Sequence, residues 1–180
     1  MTSPRLGTLT TVPALERPDL LAAPVVTALG AWPPASGVGV VEIDPALADT
    51  AALTEAYELS LTDGANCVIV AGRRGGEERV AACVVRADTR ADVNNLVKRT
   101  LDVRKASFLN TERAVSESAM EYGGVTPVGL PAQWRILVDR RLLDIEVAVI
   151  GSGVRHSKLL LPGALLAELP GAEVVDGLAG

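Results

Sequence analysis

Two β-rich runs joined by a glycine-containing turn constrain the fold of this 180-residue chain more than any other feature. Residues 66–71 and 79–86 are rich in Val, Ala, Ile and Cys, and residues 72–78 between them read Gly-Arg-Arg-Gly-Gly-Glu-Glu. Paired glycines supply the positive φ angles that a tight connection between strands needs. The pattern therefore predicts an antiparallel hairpin in the middle of the chain, and with it a sheet.

Helical and strand patterns alternate irregularly around this hairpin. Helices are predicted over residues 19–29, 45–59, 88–101, 110–120 and 164–169, and further strands over residues 38–43, 135–138, 146–150 and 159–161. Irregular alternation that includes a tight hairpin favours an α/β fold of the α+β type. We expect a single domain built on a mixed, mostly antiparallel sheet of about six or seven strands surrounded by helices.

Composition indicates a globular protein with an aliphatic core, because 48% of the residues are hydrophobic and only 3% are aromatic. The apolar stretch at residues 20–29 is too short to span a bilayer and contains Pro24. The first residues lack the charged start and continuous apolar segment of a signal peptide. We therefore expect a cytoplasmic protein with no membrane partner.

The inventory of reactive side chains excludes several classes of site. Cys67, Cys83 and His156 are the only cysteines and the only histidine. They are too few for a Cys/His metal centre, and no nucleophile-elbow motif accompanies the histidine. We therefore predict no metal, no cofactor and no Ser/His/Asp triad, and we interpret the two hairpin cysteines as small hydrophobic residues.

Charge is distributed unevenly along the chain. The net charge of −5 argues against general electrostatic binding of nucleic acid, and we expect no DNA partner. Residues 86–113 nevertheless carry seven bases against four acids. This segment is either a solvated helix face or a patch that meets phosphates.

Two glycine-rich segments are the candidate ligand-binding loops. Residues 122–130 read Tyr-Gly-Gly-Val-Thr-Pro-Val-Gly-Leu, and residues 150–153 read Ile-Gly-Ser-Gly. Glycine lets a backbone approach a ligand closely, and the N–H groups around Pro127 would be free to face a carbonyl. Ordinary tight turns remain the alternative for both segments. The second segment lacks the third glycine and the βαβ context of a dinucleotide site.

The order of these features resembles the YbaK and prolyl-tRNA-synthetase-associated editing domains. The resemblance runs over roughly residues 45–170, and its most specific part is Gly-Gly-Val-Thr-Pro-Val-Gly at residues 123–129. It implies a YbaK-like editing domain over residues 45–180, with residues 1–44 as an N-terminal extension packed on it. It also implies hydrolysis of mischarged aminoacyl-tRNA, with the tRNA acceptor end and an aminoacyl-tRNA synthetase as partners.

The resemblance implies a set of site residues. The family's functional lysine stands at the start of the first hairpin strand, where this chain has Asn66. Asn66, Gly124 and Thr126 are the implied catalytic residues. The implied substrate-binding residues are Gly123, Val125, Pro127, Gly129, Asp139, Gly151, Ser152 and Gly153. Lys98 and Lys105 are candidate replacements for the missing lysine.

The exchange of lysine for asparagine leaves three functions open. An amide offers two donors and no charge, so the grip on a developing oxyanion or a phosphate should weaken. The leading hypothesis is an aminoacyl-tRNA deacylase acting on a small amino acid. The alternatives are a non-catalytic module that binds aminoacyl-tRNA or aminoacyl-adenosine, and a scaffold that binds only a partner protein.

Overall fold

A computed structural model describes residues 3–180, and its elements follow one another with short connections. The strands are β1 (Arg5–Leu6), β2 (Leu9–Thr10), β3 (Val12–Pro13), β4 (Gly39–Glu42), β5 (Ala65–Arg74), β6 (Glu77–Arg86), β7 (Ala106–Phe108), β8 (Arg135–Asp139), β9 (Ala148–Gly151), β10 (Ser157–Leu161) and β11 (Ala172–Val175). The α-helices are α1 (Ala23–Ala31), α2 (Thr50–Ala56), α3 (Lys98–Thr100) and α4 (Thr111–Ser118). None of the helices in this part of the chain is long and apolar enough to cross a membrane.

The predicted hairpin is confirmed as β5 and β6. Arg74 pairs with Glu77, so only Gly75 and Gly76 form the turn. Their φ angles are 58° and 85°, the positive values that a two-residue connection requires. The hairpin forms the middle of a five-stranded sheet with the order β11-β8-β6-β5-β7, in which β8 pairs in parallel with both β6 and β11.

The expectation of one sheet with six or seven strands is corrected, whereas the mixed and mostly antiparallel architecture is confirmed. The strands divide between the five-stranded sheet, an antiparallel four-stranded sheet of order β3-β4-β10-β9, and the small pair β1-β2. All five residues of β10 are buried, and β4 and β9 pair with its two sides. Strand β10 is therefore the centre of a second sheet. This sheet meets the five-stranded sheet where Gly64 pairs with Val149.

The helix over residues 110–120 is confirmed as α4, because the side chain of Asn110 accepts from the amides of Glu112 and Arg113. The other predicted helices are shorter. Predicted helices 19–29 and 45–59 overlap the 3₁₀ turns Pro18–Leu20 and Pro45–Leu47, which precede α1 and α2. The predicted helix 164–169 is the 3₁₀ helix Gly163–Glu168. The α-helix that follows the first turn takes Pro24 into its own first turn, where the missing N–H costs nothing.

The helix predicted over residues 88–101 is the largest correction among the helices. Its first part is a turn and an isolated bridge from Ala91 to Ala179, followed by a π-helical turn, Val93–Val97, and the single α-turn of α3. Asp92 caps this segment, and Asp102 ends it with a φ of 53°. Strands β7 and β11 were not predicted, because runs of three and four residues give no clear period.

The N-terminal residues contribute to the same core as the hairpin. Val25, Leu29 and Trp32 are buried in one cluster with Val138 and Leu159. Strands β3 and β4 also belong to the four-stranded sheet. Burial of these side chains against the sheets removes apolar surface from water, at about 25 cal/mol per Å².

Asp139 holds the C-terminal end of the chain in place. Its fully buried carboxylate accepts from the amide and guanidinium of Arg141 and from the amide of Ala179. Burial alone would raise the pKa of this carboxyl, but the hydrogen bonds outweigh burial and the pKa lies below 3.8.

We expect Asp139→Ala to lower the free energy of unfolding by about 2–4 kcal/mol, because it leaves buried donors unpaired. Urea denaturation measures the loss. Since the folded-state pKa is depressed, this stabilisation is present above pH 3.8 and is lost as pH falls through the folded-state value. Asp176→Ala is the control, because its ion pair with Arg140 is exposed and should contribute less than about 1 kcal/mol. Equal losses in the two variants would contradict the assignment.

Candidate functional site

A cavity of about 450 Å³ opens where the two larger sheets meet. The first residues of β5, the end of β9, Lys158 of β10 and helices α2 and α4 line it, together with Tyr122, Gly123 and Val125. Much of the lining is apolar: Leu53, Val68, Ile69, Ala114, Val115, Val125, Val149 and Ile150. A concave, mostly apolar cavity with a few polar groups is typical of a small-molecule site.

The structure brings four of the expected site residues together in this cavity. Asn66, Gly123, Val125 and Gly151 all line it. The other expected residues lie outside its lining: Gly124, Thr126, Pro127, Gly129, Asp139, Ser152 and Gly153. The cavity therefore combines the start of the hairpin with both glycine-rich segments.

Backbone contacts fix the first glycine loop against the second. The amide of Gly153 donates to the carbonyl of Gly124 at 2.7 Å, and the amide of Glu121 donates to the carbonyl of Gly153 at 2.8 Å. A Cβ added to Gly151 would lie 2.4 Å from the Gly124 oxygen and 2.6 Å from the Val125 oxygen. Only glycine allows this approach, so the cavity wall has little freedom to move.

Two amides of the loop make no hydrogen bond within the described residues. Within residues 3–180, neither the amide of Gly123 nor that of Val125 donates to a carbonyl or a side chain. Both residues line the cavity. Uncommitted backbone donors held by a rigid loop are the type of group that stabilises an oxyanion in acyl transfer.

Asn66 is held by a hydrogen bond from the neighbouring helix. The hydroxyl of Thr50 donates to Asn66 Oδ1 at 3.1 Å. The amide nitrogen of Asn66 accordingly remains as a neutral donor beside the cavity. Thr50 is the first residue of α2, so this contact also fixes the helix against β5.

Lys158 supplies the positive charge of the cavity. Its side chain is almost fully buried, and Nζ donates to the carbonyl of Ala48 at 3.0 Å and to that of Gly123 at 3.5 Å. No carboxylate lies within ion-pair distance of Nζ in the described part of the chain. An ammonium has three donors, and a buried one without a counter-ion is expensive.

Burial is the main cause of a lowered pKa at Lys158. Burial and the neighbouring charge of Arg155 both favour the neutral amine, Asp49 opposes them weakly, and the pKa falls from 10.5 to about 8. Asp49 lies 3.6 Å from the guanidinium of Arg155. At neutral pH Lys158 is therefore mainly an ammonium, without an ion pair to any residue from 3 to 180.

A family model described as the aminoacyl-tRNA editing domain matches residues 44–169. This chain belongs to that family. Among solved structures, the editing domain is similar to a protein proposed to be a trans-editing enzyme for prolyl tRNA synthetase, with a TM-score of 0.73 and 20% identity over 86% of this chain and 94% of that chain. The hypothetical protein APE2540 is similar with a TM-score of 0.69 and 23% identity, over 78% of this chain and 90% of that chain. Both likenesses show the fold, and the resemblance inferred from the sequence is confirmed.

The same fold also occurs inside a longer protein. A proposed signal transduction protein from Marinobacter aquaeolei gives a TM-score of 0.56 and 20% identity. The likeness covers 88% of this chain but only 31% of that chain. The editing-domain fold is therefore also found as one part of a larger chain.

Three expected site residues that lie outside the cavity differ in their surroundings. Ser152 is fully buried, and its hydroxyl bonds to Ser157 and to the carbonyl of Val154. A Cβ on Gly129 would lie 2.4 Å from the carbonyl oxygen of Pro24, so this glycine allows the loop to pack on α1. Thr126 is fully buried, and its hydroxyl has no partner within residues 3–180.

Cys67 lines the cavity, but the environment does not favour a nucleophile. Burial raises the pKa of its thiol far above the ordinary value, so the reactive thiolate is not formed at neutral pH. Within the described range, residues 3–180, no group of three or more His, Cys, Asp or Glu side chains could hold a metal ion. Among the groups that line the cavity, Lys158 provides an ammonium and Asn66 a neutral amide.

Sequence reasoning did not identify Lys158. The two lysines considered as replacements, Lys98 and Lys105, do not line the cavity. One signal was present in the sequence: Lys158 interrupts an apolar strand, Ser-Lys-Leu-Leu-Leu, at a position where the pattern has no need of a charge. A lone lysine within a buried strand requires a partner or a function.

Proposed function

We propose that this editing domain hydrolyses the ester bond of tRNA that carries the wrong small amino acid. The observation that carries the proposal is the buried Lys158 ammonium, which lines the same cavity as Gly123 and Val125, two residues with uncommitted amides. These groups are donors or positive, as a developing oxyanion requires. Membership of the aminoacyl-tRNA editing family supports an ester of this class as the substrate.

The reaction requires no protein nucleophile. Water adds to the ester carbonyl and the carbonyl oxygen gains negative charge. The carbon–oxygen bond to the ribose then breaks, and the proton that the water loses is balanced by the proton that the ribose oxygen gains. The products are the free amino acid and a tRNA with its terminal hydroxyl restored. Lys158 and the two amides stabilise the oxyanion, and Asn66 donates a neutral hydrogen bond to the substrate.

The size of the cavity supports a small amino acid. The cavity volume of about 450 Å³ lies toward the lower end of the range for small-molecule sites, and the apolar side chains of Leu53, Ile69 and Val115 line it. A synthetase discriminates against a residue that differs by one methylene by only about 1–3 kcal/mol, so a second hydrolytic site removes the errors. Charged tRNAs are used in the cytoplasm, which is where we place this activity.

The test is deacylation of a panel of tRNAs charged with small amino acids, by the natural protein and by Asn66→Lys. We expect the natural protein to hydrolyse at least one member and Asn66→Lys to gain nothing, because a second ammonium beside Lys158 adds repulsion. Hydrolysis by Asn66→Lys alone would favour the binding module. Binding of a non-hydrolysable aminoacyl-adenosine analogue without turnover by either protein would favour it too.

The rate should depend on pH through Lys158. Its ammonium form predominates below pH 8 and is lost as pH rises through about 8. We therefore expect kcat/KM, corrected for the uncatalysed hydrolysis of the ester, to fall about tenfold for each pH unit above that point. A rate that kept rising with hydroxide concentration up to pH 10 would contradict a role for the ammonium.

A further inference from the structure

The aromatic side chains of this chain are distributed unusually. Of its five aromatic residues, Trp32 and Trp134 are buried and Tyr57 is half-buried. Phe108 and Tyr122 are 64% and 65% exposed, and both line the mouth of the cavity. Large aromatic surfaces left in water beside a cavity are a signal for recognition, because leaving them exposed gives the fold nothing.

A second groove begins on the other side of Phe108. It has a volume of about 410 Å³, shares Phe108 and Leu109 with the cavity, and is lined by four basic residues: Arg73, Arg104, Lys105 and Arg113. Glu78 pairs with Arg73 and Arg113. Across residues 3–180, neither Arg104 nor Lys105 has a carboxylate within ion-pair distance, and both are exposed.

The groove follows an edge of the five-stranded sheet. Among the described strands, β7 pairs with β5 alone, and Arg104 and Lys105 directly precede it while Phe108 ends it. These three residues therefore lie along one edge, with the aromatic ring nearest the cavity. A local basic excess on a chain of net charge −5 indicates a specific anionic partner.

We propose that this edge is the track for the single-stranded 3′ end of the tRNA, with the terminal base stacked at Phe108 and Tyr122 and the preceding phosphates at Arg104 and Lys105. The proposal rests on the proposed function, since it assumes that the aminoacyl-ribose occupies the cavity. Unpaired bases stack on exposed aromatic rings, and basic side chains follow their phosphates. Within the basic segment noted in the sequence, Arg104 and Lys105 are then the phosphate contacts.

Arg155 supports the aromatic part of this track. Its guanidinium lies 5.8 Å from the centre of the Tyr122 ring, and its Nε donates to the carbonyl of Pro45 at 3.0 Å. A cation packed against one side holds the ring in place. The ring nevertheless remains exposed, as a stacking surface requires.

The experiment compares the double variant Arg104→Glu/Lys105→Glu with Arg90→Glu/Arg99→Glu, which makes the same change in net charge at two exposed arginines outside both grooves. The readout is the ratio of kcat/KM for an aminoacylated acceptor-stem minihelix to kcat/KM for the aminoacyl-adenosine ester. We expect the first variant to lower this ratio at least about tenfold and to flatten the salt dependence by about one unit per lost contact. We expect the second to leave the ratio within about twofold. Equal ratios in both variants would overturn the track.

Binding of the uncharged minihelix separates this proposal from the proposed function. Titration at fixed salt should show about 5- to 100-fold weaker binding for Phe108→Ala, and Phe108→Leu should recover little, because leucine has bulk but no ring. Weaker binding in these variants without any hydrolysis by the natural protein would support the track and reject the deacylase. Hydrolysis with unchanged binding in every track variant would do the reverse.

Discussion

Replacing Lys158 with methionine should abolish most of the deacylation while leaving the protein as stable as before or more so. Loss of one preorganised oxyanion donor typically costs about 100- to 1000-fold in kcat. Methionine matches the length of the lysine stem and fills its space in β10. We therefore expect kcat for the best tRNA substrate to fall at least about 100-fold, measured under single-turnover conditions.

Lys158→Met should raise the stability while lowering the rate, because the buried ammonium destabilises the folded state. A pKa lowered from 10.5 to about 8 corresponds to roughly 3 kcal/mol of penalty at pH 7. In the variant the carbonyls of Ala48 and Gly123 lose their donor, which destabilises the fold by about 1–2 kcal/mol and offsets part of the gain. Lys158→Met should consequently be up to about 2 kcal/mol more stable at pH 7.

The pH dependence of stability gives a second check on Lys158. Between pH 8 and 10.5 the unfolded chain binds the proton of this lysine more tightly than the folded chain does, so the stability of the natural protein rises with pH. The advantage of Lys158→Met should shrink over the same interval. Lys98→Met, at a half-buried lysine outside the cavity, should change neither the rate nor this pH dependence.

The swap Asn66→Lys/Lys158→Met tests whether the cavity requires a charge or one particular side chain. If an ammonium from either strand can reach the substrate carbonyl, the double variant should regain part of the lost rate. A double variant as inactive as Lys158→Met would show that position 158 matters by its geometry. Full activity in Lys158→Met itself would remove the observation on which the proposed function rests.

The sequence predicted local structure best where side-chain chemistry alone decides the backbone. Gly75-Gly76 defined the hairpin turn and Asn110 the start of α4, because positive φ and a capping oxygen are local requirements. The helix predicted over residues 88–101 was wrong, because Asp92 caps a π-turn in the middle of it. Tertiary packing decided that segment, and no periodicity in the sequence carries that information.

The candidate site likewise has residues that the sequence predicted and one that depends on tertiary structure. Asn66, Gly123, Val125 and Gly151 were predicted from motifs, and they line one cavity. Lys158 lies 92 residues after Asn66 in the printed sequence, on a strand of the other sheet, so its arrival in the cavity depends on how the two sheets meet. A family resemblance assigns a role only to the matching sequence position. A charged side chain that reaches the site from another strand is found only from the three-dimensional structure.

Gly151→Ala should damage the site and the fold together. The added Cβ would lie 2.4 Å from the Gly124 oxygen and 2.6 Å from the Val125 oxygen, and both are backbone atoms that cannot rotate away. The loop must therefore shift, at a cost of about 1–3 kcal/mol in the free energy of unfolding. A shift of about 1 Å in the amides that face the oxyanion should lower kcat about 100-fold.

Two other glycines separate these effects. Gly163→Ala would place its Cβ 2.0 Å from the carbonyl oxygen of Leu142, away from the cavity, so we expect a similar loss of stability with kcat nearly unchanged. Gly30 lies in α1 with no atom within 4 Å of its added Cβ, and Gly30→Ala should stabilise by about 0.5–1 kcal/mol. Thermal unfolding and single-turnover rates of the three variants measure this. If Gly163→Ala lost as much kcat as Gly151→Ala, the loss would reflect general destabilisation, and the amides of Gly123 and Val125 would have no special part in the reaction.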